Sequence, residues 1–500
     1  RLATMLRLAS PDRAVTTIPP VRVRPASRVP EHPVGAGALA QGPGAHVVEV
    51  APTTDALEVA LGAAARGQVI VVVPQREAAD RIARGVRAGG AAVAKWPRDW
   101  AAAAGGATIV GGRAAVFAPA PELAAIVVVD EHEEMLQSES SPTWHAREVA
   151  IERARRAGVP CLLVSPCPSL EALVAQRADG GAALWVRPGP GSPATPTVEL
   201  PPAAERVSSG TRRSGWAPLT VIDRRGEDSG RSGLYSSRLV DAVREVAREG
   251  GRVVCVLNRT GRARLLACRS CGSIAECEVC GAAVHQDDRA RLVCASCGTT
   301  RPSVCMECGS TALAALKLGV TRAREELEAL AREPVAAVTG HGDQGGDTGD
   351  QAAGSDRSAR ILIGTEAVLH RAEHADLVAF LDLDQELLAP RYRSAEESLG
   401  LLVLANRLLG GRTRGGRLVV QTRTPEHEVI QAALRADPRL VSVVEAGRRR
   451  LLRFPPAATM VVVGQQAAEA YVERVGTPLG ISVQGPDDGR WVLHSEDRDL

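Results

Sequence analysis

Between Val47 and Leu173 the chain alternates short unbroken apolar runs with longer stretches where apolar and charged residues share a helical period. The runs "VVEV", "QVIVVVP", "ATIVGG", "AIVVVD" and "CLLVSP" are almost without a polar face and predict strands buried on both sides. "REAADRIARGVRAG" and "HAREVAIERARRAG" predict amphipathic helices between them. Strand–helix alternation of this kind predicts a parallel α/β sheet. A second such run follows: "LTVID", the helix "SSRLVDAVREVAREG" and the strand "RVVCVLN". It resumes past a cysteine-dense insert with "VTRAREELEALARE", "ARILIGTE", "LVAFLDLD" and "GRLVVQT".

The expected organisation is a helical remnant (Arg1 to Leu8) and a Pro-, Gly- and Arg-rich linker within 1–46, then a first lobe over 47–186. A linker over 187–218 leads to a second lobe over 219–265 and 311–440, carrying an insert over 266–310. A small, incomplete C-terminal module occupies 441–500, and 340–358 ("GHGDQGGDTGDQAAGSDRS") predicts a mobile loop.

Composition narrows the picture in three ways. The 500 residues are 45% hydrophobic but hold only six Trp, three Tyr and three Phe, so the cores must be Ala, Val and Leu. No stretch of about 18 uncharged apolar residues occurs, so no membrane span is expected. A chain that opens on Arg1 without a leader reads as a piece of a cytoplasmic protein. The net charge of +2 confines any nucleic-acid-binding surface to local patches. Of sixty Lys plus Arg, only Lys95 and Lys317 are lysines, so a mechanism that needs a lysine has two candidates.

Eight of the eleven cysteines form four Cys-x-x-Cys pairs: Cys268/Cys271, Cys277/Cys280, Cys294/Cys297 and Cys305/Cys308. Each pair is a knuckle that lets two thiolates grip one tetrahedral Zn²⁺, so four pairs predict two closed structural sites and two Zn²⁺ per chain. Disulfides do not account for the regular spacing and suit secreted chains; an iron–sulfur cluster is the minor alternative. The first two knuckles are too close for the chain to turn back between them. That favours a nested pairing, with Cys277, Cys280, Cys294 and Cys297 inside and Cys268, Cys271, Cys305 and Cys308 outside. His285 is a spare ligand candidate, and Cys161, Cys167 and Cys255 are expected as core residues on strands.

The arrangement resembles the bacterial replication-restart family PriA (primosomal protein N′) over nearly the whole chain. "VGGRAAVFAP" is similar to the family's segment before the Walker B strand, and "VVVDEHEE" to its Walker B. "WHAREVAIERA" is similar to the helix that follows, and "LLVSPCPSLEAL" to its third helicase motif. "VLNRTGRARLLACRSCG" leads into the double zinc insert as the family's does. "ILIGTEAVL", "LVAFLDLDQEL" and "GRLVVQTRTPEHEVI" resemble later motifs, and "RRRLLRFPPAA" the start of the C-terminal domain. The resemblance implies α/β architecture with two RecA-like (superfamily 2 helicase-like) lobes, a double zinc-binding insert in the second lobe and a small C-terminal domain. It also implies the nested zinc pairing. The implied role is binding abandoned replication forks and reloading the replicative helicase. The implied partners are forked DNA, other primosome proteins, the replicative helicase and single-stranded DNA-binding protein. Active members are 3′ to 5′ helicases driven by ATP.

The ATP site is where this chain departs from the family. A phosphate loop needs glycines to wrap phosphates with backbone N–H groups, and a lysine for the β and γ charges. The corresponding "VVEVAPTTDALEVAL" has Pro52 and Asp55, and no glycine or lysine between Ala51 and Leu57. Walker B reads Asp130-Glu131-His132-Glu133 instead of Asp-Glu-Glu-His. The sixth motif, "LVLANRLLGG", keeps Arg407 but has Gly410 in place of its second arginine. Asp130, Glu131 and Arg407 are therefore expected to be remnants, leaving no catalytic residue. The alternative readings are an active DNA-dependent ATPase with an unorthodox nucleotide site, and a zinc-dependent protein-interaction module that contacts no DNA.

DNA contacts are expected in three basic runs: Arg252, Arg259, Arg262, Arg264 and Arg269; Arg412, Arg414 and Arg417; and Arg448, Arg449, Arg450 and Arg453. Solvated arginine faces are the plain alternative for each run. Trp96, Trp100 and Trp144 are expected in the core.

Overall fold

Runs such as "AIVVVD" can be stable only where helices cover both faces, and the chain folds accordingly. The computed structural model describes residues 2–11, 14–138, 143–176, 203–225, 234–257, 266–279, 281–287, 291–294, 297–315, 320–338, 359–464, 467–476, 478–487 and 489–495. The first lobe is a parallel sheet in the order Val93–Lys95, Thr108–Gly111, Gln68–Val72, Leu123–Val129, Pro160–Ser165, Gly44–Glu49 and Glu205–Arg206. Alternate residues of Leu123–Val129 feed opposite layers: Ile126 and Val128 enter one core, Ala125, Val127 and Val129 the other. Helices Arg76–Ala88 and Ala146–Ala157 lie where the periodicity predicts them.

The second lobe repeats the plan with six parallel strands ordered Leu219–Asp223, Arg417–Thr422, Leu377–Phe380, Val253–Val256, Ile361–Gly364 and Val335–Val338. Three strands of the two parallel sheets were not expected from sequence: Val93–Lys95, Val335–Val338 and Glu205–Arg206. All are short edge or near-edge elements whose few residues carry little periodic signal.

Two segments read as linkers are built into the fold. Residues 17–34 run as a strap across the first lobe, with Arg22, Ala26 and Ser27 donating backbone hydrogen bonds to Gly105, Ala64 and Gly89 at 2.8–3.0 Å. Gly106, at φ +97°, lets the strap pass; a Cβ there would lie 3.1 Å from the Arg22 carbonyl carbon. A short helix, Ala36–Ala40, follows, and Glu205 accepts the Gly35 and Ala38 N–H groups at 2.8 and 3.1 Å. In the second linker, 203–218 includes the strand Glu205–Arg206 and the helix Ser209–Ser214. Residues 177–202 and the expected mobile loop lie outside the described residues.

The insert leaves the second lobe through a two-stranded neck, Leu266–Cys268 against Leu313–Ala315, and carries a three-stranded antiparallel sheet. The chain ends in the helix Arg439–Leu452 and an antiparallel sheet ordered Thr459–Val463, Arg490–Ser495 and Ile481–Asp487, with the helix Ala468–Val475. Among the described residues no helix is long and apolar enough to cross a membrane.

Candidate functional site

An open parallel α/β sheet binds ligands in the crevice outside the carboxyl ends of its strands. The loop Val50–Asp55 follows the strand Gly44–Glu49 and opens the helix Ala56–Ala64. A phosphate would need the free N–H groups of that helix. Asp55 instead caps it, its carboxylate accepting the Leu57 N–H at 3.0 Å. Thr54 turns back to accept the Ala51 N–H at 3.1 Å. Gly215 presses onto the same loop so closely that a Cβ would lie 2.7 Å from Ala51 and 3.0 Å from the Thr53 hydroxyl.

Asp130 and Glu131, the two carboxylates read from the sequence as a Walker B remnant, are both engaged. Asp130, at φ 51° just past the strand Leu123–Val129, receives a two-pronged guanidinium from Arg407 of the other lobe at 2.5 and 2.8 Å. The third nitrogen of Arg407 donates to the Pro52 carbonyl at 3.0 Å, so one side chain ties the Walker B strand to the former phosphate loop. Burial alone would raise the Asp130 carboxyl, but the Arg407 charge and hydrogen bonds hold it below the ordinary range. Glu131 is fully buried; it accepts from Ser169 N–H and hydroxyl at 2.8 Å and from Arg147 at 2.9 Å. His132 meets the Ser165 hydroxyl at 2.8 Å. Burial lifts the Glu133 carboxyl above its usual range. Asparagine 406, one residue before the bridging arginine, accepts the Ala217 N–H at 2.6 Å through its side chain. Of the two lysines, Lys95 is ion-paired with Asp80, while Lys317 lies outside the described residues.

The insert gathers its cysteines into two groups. Cys268, Cys271, Cys305 and Cys308 bring four Sγ atoms within 4.8 Å of one another, and so do Cys277, Cys294 and Cys297; Cys280 lies outside the described residues. The Sγ–Sγ distances Cys268–Cys308, Cys271–Cys305 and Cys277–Cys297 are each 3.5 Å. A tetrahedron of thiolates about 2.3 Å from a Zn²⁺ has edges of about 3.8 Å, so the donor sets suit that ion. His285 is exposed on its strand and belongs to neither group.

A signal not read from the sequence explains how the knuckles form. Every pair continues as Cys-x-x-Cys-Gly, and Gly272, Gly281, Gly298 and Gly309 all sit at φ 71–75°. Each glycine N–H returns to the first cysteine's carbonyl at 2.9 Å. Only glycine takes that conformation without penalty, so the turn is preformed.

No family model matches the chain. Replication restart protein PriA of Bacillus subtilis (strain 168) is 29% identical over 377 residues, covering 73% of this chain and 44% of that protein. The Synechocystis PriA is 29% identical over 374 residues, 71% of this chain and 42% of its own. The probable PriA of Mycobacterium tuberculosis is 28% identical over 406 residues, 78% and 58% of the two chains. Over about three quarters of its length the chain is similar to PriA proteins. It spans about half the length of the curated relatives it matches. Among solved structures, the DUF1998 helicase MrfA bound to DNA and AMPPNP aligns over 94% of this chain and 63% of that one, with 9% identity and a TM-score of 0.41; that distance supports no further argument.

The basic runs of this chain separate once folded. Arg412 and Arg414 stand exposed on a 3₁₀ turn past the helix Ser394–Leu409, and Arg269 is exposed within the first knuckle. Arg252 is half-buried, and Arg259, Arg262 and Arg264 lie outside the described residues. Arg449 corrects the expectation: it is 1% exposed, with Glu171, Glu396 and Glu445 around its guanidinium, and it cannot reach DNA. Arg448 is half-buried and paired with Glu428 and Glu445, and Arg450 is half-buried. Trp96 is buried, Trp144 packs edge-on against Phe117 at 5.0 Å, and Trp100 donates to the Ala9 carbonyl at 2.8 Å. Cys161 and Cys255 lie buried on strands; Cys167 is buried too, but on the turn past Pro160–Ser165.

Proposed function

We propose that this protein is a zinc-bearing, fork-binding component of replication restart that acts without hydrolysing ATP. The bridge from Arg407 to Asp130 and Pro52 carries the reading, because it takes the place that Mg²⁺ and phosphate oxygens need. Relatives named replication restart proteins support the role. In this reading one Zn²⁺ is held by Cys268, Cys271, Cys305 and Cys308 and a second by Cys277, Cys280, Cys294 and Cys297. Both sites are structural, since four thiolates leave no open position. Forked DNA is the ligand. Other primosome proteins, the replicative helicase and single-stranded DNA-binding protein are the partners whose reloading work it serves.

The exposed turn Arg412–Arg414 is the first phosphate contact to test. Its contacts would be sequence-independent and weakened by salt. The double variant Arg412→Ala/Arg414→Ala is expected to lower fork affinity and to flatten the slope of log affinity against log salt by about 2. Titrating forked and linear duplexes over a salt series measures both effects. Equal affinity of the wild type for fork and linear duplex would contradict the proposed function; an unchanged salt slope in the variant would remove the turn from the interface.

A further inference from the structure

The helix Arg439–Leu452 was expected to open a separate module and offer its arginines to DNA, yet its residues enter the cores of three other units. Val441 joins the core of the second lobe, Ala446 that of the first, and Leu452 packs against the core of the cysteine insert. The buried stripe Val441, Ser442, Glu445, Ala446 and Arg449 has helical spacing and faces inward.

Arg449 completes that stripe. Its guanidinium reaches Glu171 of the first lobe at 3.1 Å and Glu396 of the second at 2.5 Å, with Glu445 of its own helix at 3.3 Å. The Tyr392 ring lies 5.1 Å from the guanidinium carbon. Glu396 also crosses between the lobes, accepting the Leu170 N–H at 2.9 Å and the Arg393 side chain at 3.1 Å. At the other end of the helix, Arg439 lies 3.4 Å from Glu49, a buried carboxylate at the tip of the strand before the former phosphate loop. With Arg407 on Asp130 and Arg206 and Arg212 beside Asp437, several ionic ties among the described residues join the two lobes, and every charge in them belongs to the chain itself.

A helicase-like motor needs lobes that move apart and together with nucleotide. We infer that the helix Arg439–Leu452 is an interlobe clamp, pinned by Arg449, that holds the two lobes in one arrangement without nucleotide. Breaking the pin leaves buried carboxylates facing each other, so the lobes would separate to hydrate them. The clamp concerns the protein alone and does not depend on what it binds, so a failure of fork recognition leaves it untouched.

Single-molecule energy transfer on the full chain tests this, with dyes on non-natural residues at the exposed positions Arg156 and Glu249 in the two lobes. The wild type is expected to give one population, unmoved by Mg²⁺–ATP or by forked DNA. Arg449→Met is expected to add a second, lower-transfer population. Arg439→Gln, a change at a part-exposed site, serves where Arg449→Met does not fold, and should add a smaller such population. Two populations in the wild type, a shift on adding ATP or fork, or a single population in the folded variants would each overturn the clamp.

Discussion

Stripping metal from the full-length chain with a strong chelator is expected to unfold residues 266–315 while both parallel sheets stay folded. Among the described residues the insert's own core consists of Leu266, Ala275, Cys277, Val284, Leu292 and Cys294, so three sizeable aliphatic side chains are buried in it. Each supplies about 1.5–3 kcal/mol. Ordering the backbone costs about 1–2 kcal/mol for every residue, so about fifty residues cannot be held by that core. Two closed four-thiolate sites, each worth about 10–16 kcal/mol in isolated zinc modules, are the natural source of the missing stability. Hydrogen exchange or limited proteolysis should show protection across the insert vanish on chelation and return with Zn²⁺. Cys268→Ser should weaken the outer site alone. Equal protection with and without chelator would contradict the assignment of metal to these cysteines.

Removing the bridge from Arg407 to Asp130 is the second change with a large expected effect. Arg407→Met is expected to destabilise the folded chain by about 3 kcal/mol, the low end for breaking a buried pair, since Arg407 is 29% exposed. The loss should show in urea denaturation at neutral pH. Its pH dependence has a definite sign. With Arg407 present the Asp130 carboxyl is held below its ordinary value, so the pair's contribution is complete above the unfolded value of about 3.9 and fades only as pH falls through the lower folded value. Without Arg407 the largest influences that lower the Asp130 carboxyl are gone and burial weighs more heavily against the charged form, so the deficit of the variant should shrink on acidification. A deficit independent of pH would mean that Arg407 contributes by packing rather than by charge.

Both sheets were legible because their strands are buried on two faces and leave uninterrupted β-branched runs, as in "AIVVVD". The cysteine groups were legible from spacing alone. The decayed phosphate loop was readable as an absence of glycine and lysine, but not what replaced its ligand. Asp130 and Arg407 are 277 positions apart, and no local pattern encodes their meeting. Arg449 was misassigned because it stands in "GRRRLL", where charge suggests a solvated face. The helical spacing Val441, Glu445 and Arg449 on one stripe was the available sign that this arginine points inward. The strap over 17–34 escaped because it is held by backbone hydrogen bonds, which composition does not record.

ATP hydrolysis by the full-length protein, with and without forked DNA and beside an Asp130→Asn control at a temperature where the control stays folded, tests the central claim most directly. The bridge from Arg407 to Asp130 and Pro52 predicts no rate above the control under either condition. A fork-stimulated rate that disappears in Asp130→Asn would contradict it, and would mean that Arg407 releases Asp130 to let another loop cradle the phosphates.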